Sequence, residues 1–278
     1  MNAFHVIWTK PAIENGQRFY FTPTHLLTMV VSALCWRLYN GKIQLFTDTA
    51  GLRFIKQQQL EWVWSEPINT TILNAAPTSI HAPSYWAAGK ILVMAQMDSP
   101  AAWLDTDLII VRKIPVDNFA VTALHAEMPD PEVYPSPQML PTPTGYRLPE
   151  WFNEQVAASN TAFLAITNDA LRTEYCREAI RFMQHNPSPE GYGHLKQMVF
   201  AEQRLLSVCA HHHQSNVNYL LTEPFCREND SCIHLWGFKN EMAANSDAAQ
   251  WYTHRLIHHF CFLSEKFPEF GRFIQQFI

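Results

Sequence analysis

The run Ala101-Ala102-Trp103-Leu104-Asp105-Thr106-Asp107-Leu108-Ile109-Ile110-Val111 decides how this chain is read. Two aspartates one residue apart interrupt what is otherwise an unbroken apolar stretch. A run that is apolar on both faces is the mark of a central strand in a covered parallel sheet. Carboxylates inside such a run are costly unless paired or bound to a metal. The strand is therefore expected to end near Asp105 and to deliver both carboxylates to a site at its C-terminal edge, where open α/β sheets bind their ligands. Oxygen ligands of this kind suit Mg²⁺ or Mn²⁺, and those ions suit a phosphorylated substrate. D-x-D is a short motif that also arises by chance, so the rest of the chain must carry the case.

Working outward from that run, strands and helices alternate. Phe4 to Trp8 reads as a first strand. A threonine in Thr22-Pro23-Thr24 can cap a helix from His25 to Asn40, which Gly41 stops. Lys42 to Thr47 reads as a second strand, Leu52 to Gln58 as a short helix and Leu60 to Trp64 as a third strand. The pattern is helical again from Ser84 to Met97, and Asp98-Ser99-Pro100 breaks it before the aspartates. This alternation predicts right-handed βαβ units and a mostly parallel sheet flanked by helices. Neither G-x-G-x-x-G nor G-x-x-x-x-G-K-[ST] occurs, so neither a dinucleotide fingerprint nor a P-loop is present. Prolines at 129, 131, 135, 137, 141, 143 and 149 then mark a loop or lid. Asn160 to Thr167 reads as a strand, with Asn168 capping the next helix. Lys196 to His211 reads as a helix, Tyr219 to Thr222 and Cys232 to His234 as short strands, and the region from Ser246 on as helical.

Composition narrows the function classes. Of the 278 residues 47% are hydrophobic and 16% charged, ample for a packed core, and the net charge of -5 argues against a general nucleic-acid binder. Six cysteines, at 35, 176, 209, 226, 232 and 261, follow no framework spacing, which fits a reducing compartment. The N-terminus lacks the pattern of a signal peptide, and no apolar run is long enough for a spanning helix. A soluble, cytoplasmic protein is expected. One domain is preferred, divided into 1–115, 116–245 and a helical C-terminal region at 246–278.

Several motifs, in order along the chain, carry a resemblance to a known family. They are Tyr85-Trp86-Ala87-Ala88-Gly89-Lys90-Ile91, then Trp103 to Val111 with Arg112-Lys113-Ile114-Pro115, then Asn160-Thr161-Ala162-Phe163, Glu202-Gln203-Arg204-Leu205-Leu206 and Ile233-His234-Leu235-Trp236-Gly237-Phe238-Lys239. Together they resemble glycosyltransferases of the GT-A fold, within it the glycogenin and galactosyltransferase-like group (glycosyltransferase family 8-like) and related capsular polysaccharide synthesis proteins. One departure is Ala162, where the family pattern has Gly. The resemblance implies an α/β, Rossmann-like fold and a metal-dependent transfer of a sugar from a nucleotide-diphosphate sugar, UDP-linked by preference, to a glycan or lipid-linked glycan acceptor. It implies Mn²⁺ or Mg²⁺ on Asp105, Asp107 and His234. Lys239 and Gly237 would lie against the diphosphate, and Asn160, Glu202 and Gln203 would face the sugar or acceptor. Thr9, Lys10 and Asp48 would lie where such folds bind base and ribose, and Tyr85, Lys90, Asp105 and Thr106 would contribute to the donor site. Its lean is towards retention of configuration; an inverting enzyme would need a base at the acceptor, for which Glu127, Asp130, Glu132 and Glu150 are the candidates.

Each residue also has a plainer reading. Asp105 and Asp107 could cap the next element, Asp48 the helix after it, and Glu202 and Gln203 could face solvent on a helix. Asn160 could satisfy a turn. His211-His212-His213 with Cys209, or Cys226 and Cys232 with His234, could suggest zinc, but the spacings match no standard pair. The aromatic tail with Arg255, His258, His259, Lys266 and Arg272 could make peripheral contact with a membrane, core packing being the simpler account. Two other functions compete: a catalytically silent GT-A-like nucleotide or glycan-binding module, and a haloacid-dehalogenase-type phosphatase.

Overall fold

In the computed structural model the described residues are 1–128, 130–140, 146–186, 194–222, 232–235, 242 and 244–277. A six-stranded sheet runs in the order β2-β1-β3-β6-β5-β7. Its strands are β1 (Asn2–Ile7), β2 (Ile43–Thr47), β3 (Ala101–Leu104), β5 (Val121–Ala126), β6 (Ser159–Ile166) and β7 (Val217–Tyr219). β1 pairs in parallel with β2 and β3, and β5 with β7, whereas β6 is antiparallel to both β3 and β5. All strands of this sheet except β6 thus point the same way. The mostly parallel α/β architecture expected from the alternation is present.

Local sequence accounts for the helices that frame the sheet. α1 (Lys10–Glu14) follows β1 directly. α2 (Pro23–Tyr39) begins where Thr22 accepts a hydrogen bond from the His25 amide at 3.2 Å and Pro23 occupies the first turn. It ends at Gly41, whose φ of 104° is open to glycine and strained for other residues. α3 (Thr49–Gln57) is capped by Asp48 and α6 (Asp169–His185) by Asn168, as their positions before the helices predicted. Apolar side chains fill both faces of the sheet. Leu27, Val31, Leu34 and Trp36 of α2 pack on one face with the C-terminal helix Ser246–Phe260; Phe4, Trp103, Tyr175 and Phe182 pack on the other.

Three expectations change. Leu60–Trp64 is not a strand: Glu61–Val63 forms a 3₁₀ turn. Leu60, Val63 and Trp64 are buried while Glu61 is exposed, a helical spacing rather than an alternation of two. Gln59, at φ 55°, turns the chain out of α3 just before it. The helix expected over Ser84–Met97 shortens to α5 (Ala88–Met94), because residues 82–87 form successive turns. The helix expected over Lys196–His211 is a rod of α7 (His194–Val199), a π-turn (Phe200–Arg204) and α8 (Leu205–His212).

The deciding run splits in two. β3 ends at Leu104, Asp105 to Asp107 form a turn closed by the Leu108 amide on the Asp105 carbonyl at 3.0 Å, and β4 (Leu108–Ile110) enters a separate two-stranded sheet with β8 (Cys232–His234). Both aspartates therefore stand at a junction between two sheets. Among the described residues, no helix is long and apolar enough to cross a membrane. The C-terminal helix buries Thr253, Leu256, Ile257 and Phe260, so its apolar residues contribute to the core.

Candidate metal and donor site

The register of the small sheet builds the site. Leu108 pairs antiparallel with His234, and the Leu235 amide donates to the Asp107 carbonyl at 3.1 Å, so the imidazole arrives beside the aspartate turn. One ligand atom from each of Asp105, Asp107 and His234 lies within 4.8 Å of the others. His234 Nε2 is 3.8 Å from Asp107 Oδ2. Two carboxylates and an imidazole are a donor set for Mg²⁺ or Mn²⁺, and their spacing is close to what bonds of about 2.1 Å to one cation can span. Among the described residues this is the sole such group. Of the zinc alternatives, His213 bonds Glu174 at 2.6 Å and His212 stacks on Trp151, while Cys226 lies outside the described residues.

A buried ion pair adjoins the triad. Lys90 Nζ lies 2.6 Å from Asp105 Oδ1 and 2.5 Å from Glu202 Oε1, and Thr161 Oγ1 donates to the same Glu202 oxygen at 2.7 Å. Burial by itself would lower the Lys90 pKa, but the Asp105 and Glu202 carboxylates outweigh it and hold the ammonium above its ordinary value. Burial raises the Glu202 carboxyl against the opposing pull of Lys90. Three carboxylates face one ammonium in this cluster, and a divalent cation would balance the remainder.

These groups open on a cleft of about 190 Å³ lined by Trp8, Phe19, Phe21, Trp86, Lys90, Asp105, Thr106 and Asp107. A larger hollow of about 490 Å³ lies on the other side of the segment 19–25, between Tyr20, His25, Leu235, Gln250 and Phe277. None of its lining residues is acidic, whereas Asp105 and Asp107 line the smaller cleft. His25 bonds Thr106 Oγ1 at 3.1 Å and packs on Phe21, tying α2 to the aspartate turn.

The other sequence candidates divide. Asn160 Nδ2 donates to Glu127 at 2.8 Å, and Gln203 accepts from the Tyr134 hydroxyl. Thr9 and Asp48 bond each other: the Asp48 carboxylate accepts from the Thr9 amide and hydroxyl, the Lys10 amide and the Gly51 amide. Both are buried, and this carboxylate closes a loop and caps α3, the plainer of the two readings its position allowed. Lys10 Nζ lies 3.7 Å from Glu14 on its own helix. Tyr85 is fully buried against Phe182, and its hydroxyl donates to the Asn186 carbonyl. Gly237 and Lys239 lie outside the described residues.

Side chains that the sequence either did not mark or, as with Glu127, left as one of four acids complete the surroundings. Trp8, Phe19, Phe21 and Trp86 line the cleft, His25 braces it, and Glu127 and Tyr134 join Asn160 and Gln203. His25 follows the cap Thr22 by three residues and Glu127 directly follows a strand end, positions that could have drawn notice. Tyr134 in the proline-rich loop offers no such cue.

The profile of a family described as "Family of unknown function (DUF6734)" matches residues 1–257. The chain belongs to that family. No curated protein matches it. Among solved structures it is similar to the PaToxG glycosyltransferase (9% identity, TM-score 0.46, covering 92% of this chain and 78% of that one). It is also similar to mouse xyloside xylosyltransferase 1 in its apo form (13%, 0.40, 79% and 85%). A third similarity is to the nucleoside-diphosphate-sugar pyrophosphorylase of Vibrio cholerae RC9 (10%, 0.44, 84% and 95%). Similarities of this size do not decide a function. The side chains must.

Proposed function

We propose that this protein is a divalent-metal-dependent glycosyltransferase that moves a sugar from a nucleoside-diphosphate sugar to a glycan or lipid-linked glycan. The observation that carries the reading is the convergence of Asp105, Asp107 and His234 beside the Lys90 ion pair, at the C-terminal edge of a mostly parallel sheet. Departure of a nucleoside diphosphate leaves negative charge that must be stabilised. A divalent cation supplies Lewis-acid stabilisation there, and the three side chains would hold it. Asp107, buried and adjacent to His234, would be the principal ligand. Asp105, partly open to the cleft, would bind both metal and donor. Lys90 would fix the Asp105 carboxylate and add positive charge beside the diphosphate, with Thr106 and Lys10 at the margin of the donor site.

Asn160, Glu202 and Gln203 would face the sugar or the acceptor. Residues 1–115 would form the nucleotide-binding half and 116–245 the acceptor half, followed by the C-terminal helical region 246–278. The resemblance favours a UDP-linked sugar as donor, and Lys239 and Gly237 as further diphosphate contacts.

The test is release of nucleoside diphosphate from UDP-, GDP- and CDP-linked sugars, with and without Mn²⁺. Metal-dependent release from one base class supports a transferase. Metal-dependent binding without release from any donor, water and simple glycosides included, would instead favour a silent nucleotide-binding module.

A further inference from the structure

Two backbone irregularities meet beyond the ion pair. The pairing of β5 with β6 shifts between Ala123 and His125, a bulge that re-aims the end of β5. The rod α7–α8 is interrupted by the π-turn that carries Glu202 and Gln203. Both devices recur at functional sites. They bring together Glu127, Asn160, Gln203 and Tyr134. Asn160 Nδ2 donates to Glu127 Oε1 at 2.8 Å and the Tyr134 hydroxyl donates to Gln203 Oε1; the two pairs adjoin because Thr161 Oγ1, next to Asn160 in the chain, donates at 2.7 Å to Glu202, next to Gln203. A chain of backbone bonds joins this group to the metal site: Asn160 Oδ1 accepts from the Ala162 amide at 3.0 Å, and the Ala162 carbonyl accepts from the Asp105 amide at 2.7 Å.

Of the four acids that the proline-rich region offers, the structure singles out one. Asp130 caps its own turn through the Glu132 amide, Glu132 pairs with Lys196 while itself exposed, and Glu150 is exposed. Glu127 is half-buried, and its amide continues the ladder onto the Ala158 carbonyl at 2.9 Å.

We propose that Glu127, Tyr134, Asn160 and Gln203 form a subsite for adjacent hydroxyl groups of a sugar ring, with Glu127 receiving their hydrogen bonds. The inference rests on the transferase reading and deepens it. Sugar hydroxyls both donate and accept. The carboxylate accepts, the two amides do both, and the phenol does both, so the four side chains supply a matching set. A carboxylate acceptor makes the strongest of these bonds. The ring can come from the donor or from the acceptor, and the experiment separates the two.

The experiment compares wild type with Glu127→Gln and Tyr134→Phe, after melting curves show both variants folded. In the presence of Mn²⁺, calorimetric titration gives affinities for UDP, GDP and CDP and for their glucose, galactose and N-acetylglucosamine conjugates. Saturation-transfer NMR reads binding of the methyl glycosides of glucose, galactose and mannose to the nucleotide-loaded protein. A donor-sugar subsite predicts that Glu127→Gln weakens a sugar nucleotide on the order of tenfold or more, the loss expected for a hydrogen bond to a charged group, and leaves the free nucleotide unchanged. An acceptor subsite predicts unchanged sugar-nucleotide affinity and loss of the glycoside signal. The inference is overturned if both variants bind every sugar ligand as wild type does, or if wild type shows no sugar contribution at all. Absence of metal-dependent nucleotide binding in wild type is a separate result: it removes the transferase reading, and this inference with it.

Discussion

The Lys90 ammonium lies 2.5 Å from Glu202 Oε1, joining a helix on one side of β3 to the π-turn of another, and the two side chains are only 10% and 4% exposed. A pair this buried is held by mutual compensation, and removing one member strands the other charge. Lys90→Met is expected to destabilise the protein by about 3–5 kcal/mol, and Glu202→Gln by less, because the Thr161 hydroxyl still has an amide oxygen to meet. The double variant should recover part of the loss. Chemical denaturation measures all three; additive losses would show that the pair is not coupled.

Asp107→Asn should abolish tight Mn²⁺ binding while preserving the melting temperature of the metal-free protein within a few degrees, since the amide keeps the size of a buried side chain. His234→Ala should weaken the metal less, because two carboxylates remain. Mn²⁺ titration followed by electron paramagnetic resonance reads both. Equal metal affinity in Asp107→Asn would remove that residue from the ligand set.

Burial drives the pKa of His5 down to about 3, against a smaller upward pull from Asp107, and its Nε2 lies 3.2 Å from Ser32 Oγ. The folded protein therefore keeps this ring neutral, while the unfolded chain protonates it near 6.5. Its folded pKa lies below its unfolded one, so stability is fully present above about 6.5 and falls as pH drops from there towards 3. The loss is about 1.4 kcal/mol per pH unit. His5→Asn should flatten this acid limb. Denaturation midpoints between pH 4 and 7 test it, and parallel curves for variant and wild type would contradict it.

The cysteines provide an independent check of the packing. Burial raises the Cys35 and Cys209 thiols strongly and pushes Cys176 up to about 12, whereas Cys261 is exposed. Native protein should lose Cys261 quickly to a thiol reagent and protect Cys35, Cys176 and Cys209 until denaturant is added. Rapid labelling of Cys35 would mean that α2 is not packed as described.

What the sequence made legible follows from what local patterns encode. Caps and apolar periodicity announced α2, α3 and α6, and the strand ending at Leu104 was visible because Asp105 breaks an apolar run. Leu60–Trp64 misled because a short apolar cluster fits either period until burial decides between them. The Asp105, Asp107 and His234 grouping came from motif order, not from spacing: 127 residues separate the last two, and only the pairing of β4 with β8 closes that gap. Asp48 was legible as a cap from its place before α3, and the Thr9 and Gly51 amides bond its oxygens. Glu127 was one of four undistinguished acids and Tyr134 carried no signal, because a bulge and an irregular loop, features without a periodic signature, deliver them.

The central claim is that Asp105, Asp107 and His234 hold a divalent cation through which a nucleoside diphosphate binds. A thermal-shift screen of wild type and Asp107→Asn against UDP, GDP and CDP, each with and without Mn²⁺, tests it most directly, because a ligand of the native state raises the melting temperature by mass action. Wild type should shift with one nucleotide only when Mn²⁺ is present, and Asp107→Asn with none. A shift of equal size without Mn²⁺, or in Asp107→Asn, would contradict it, as would no shift with any nucleotide.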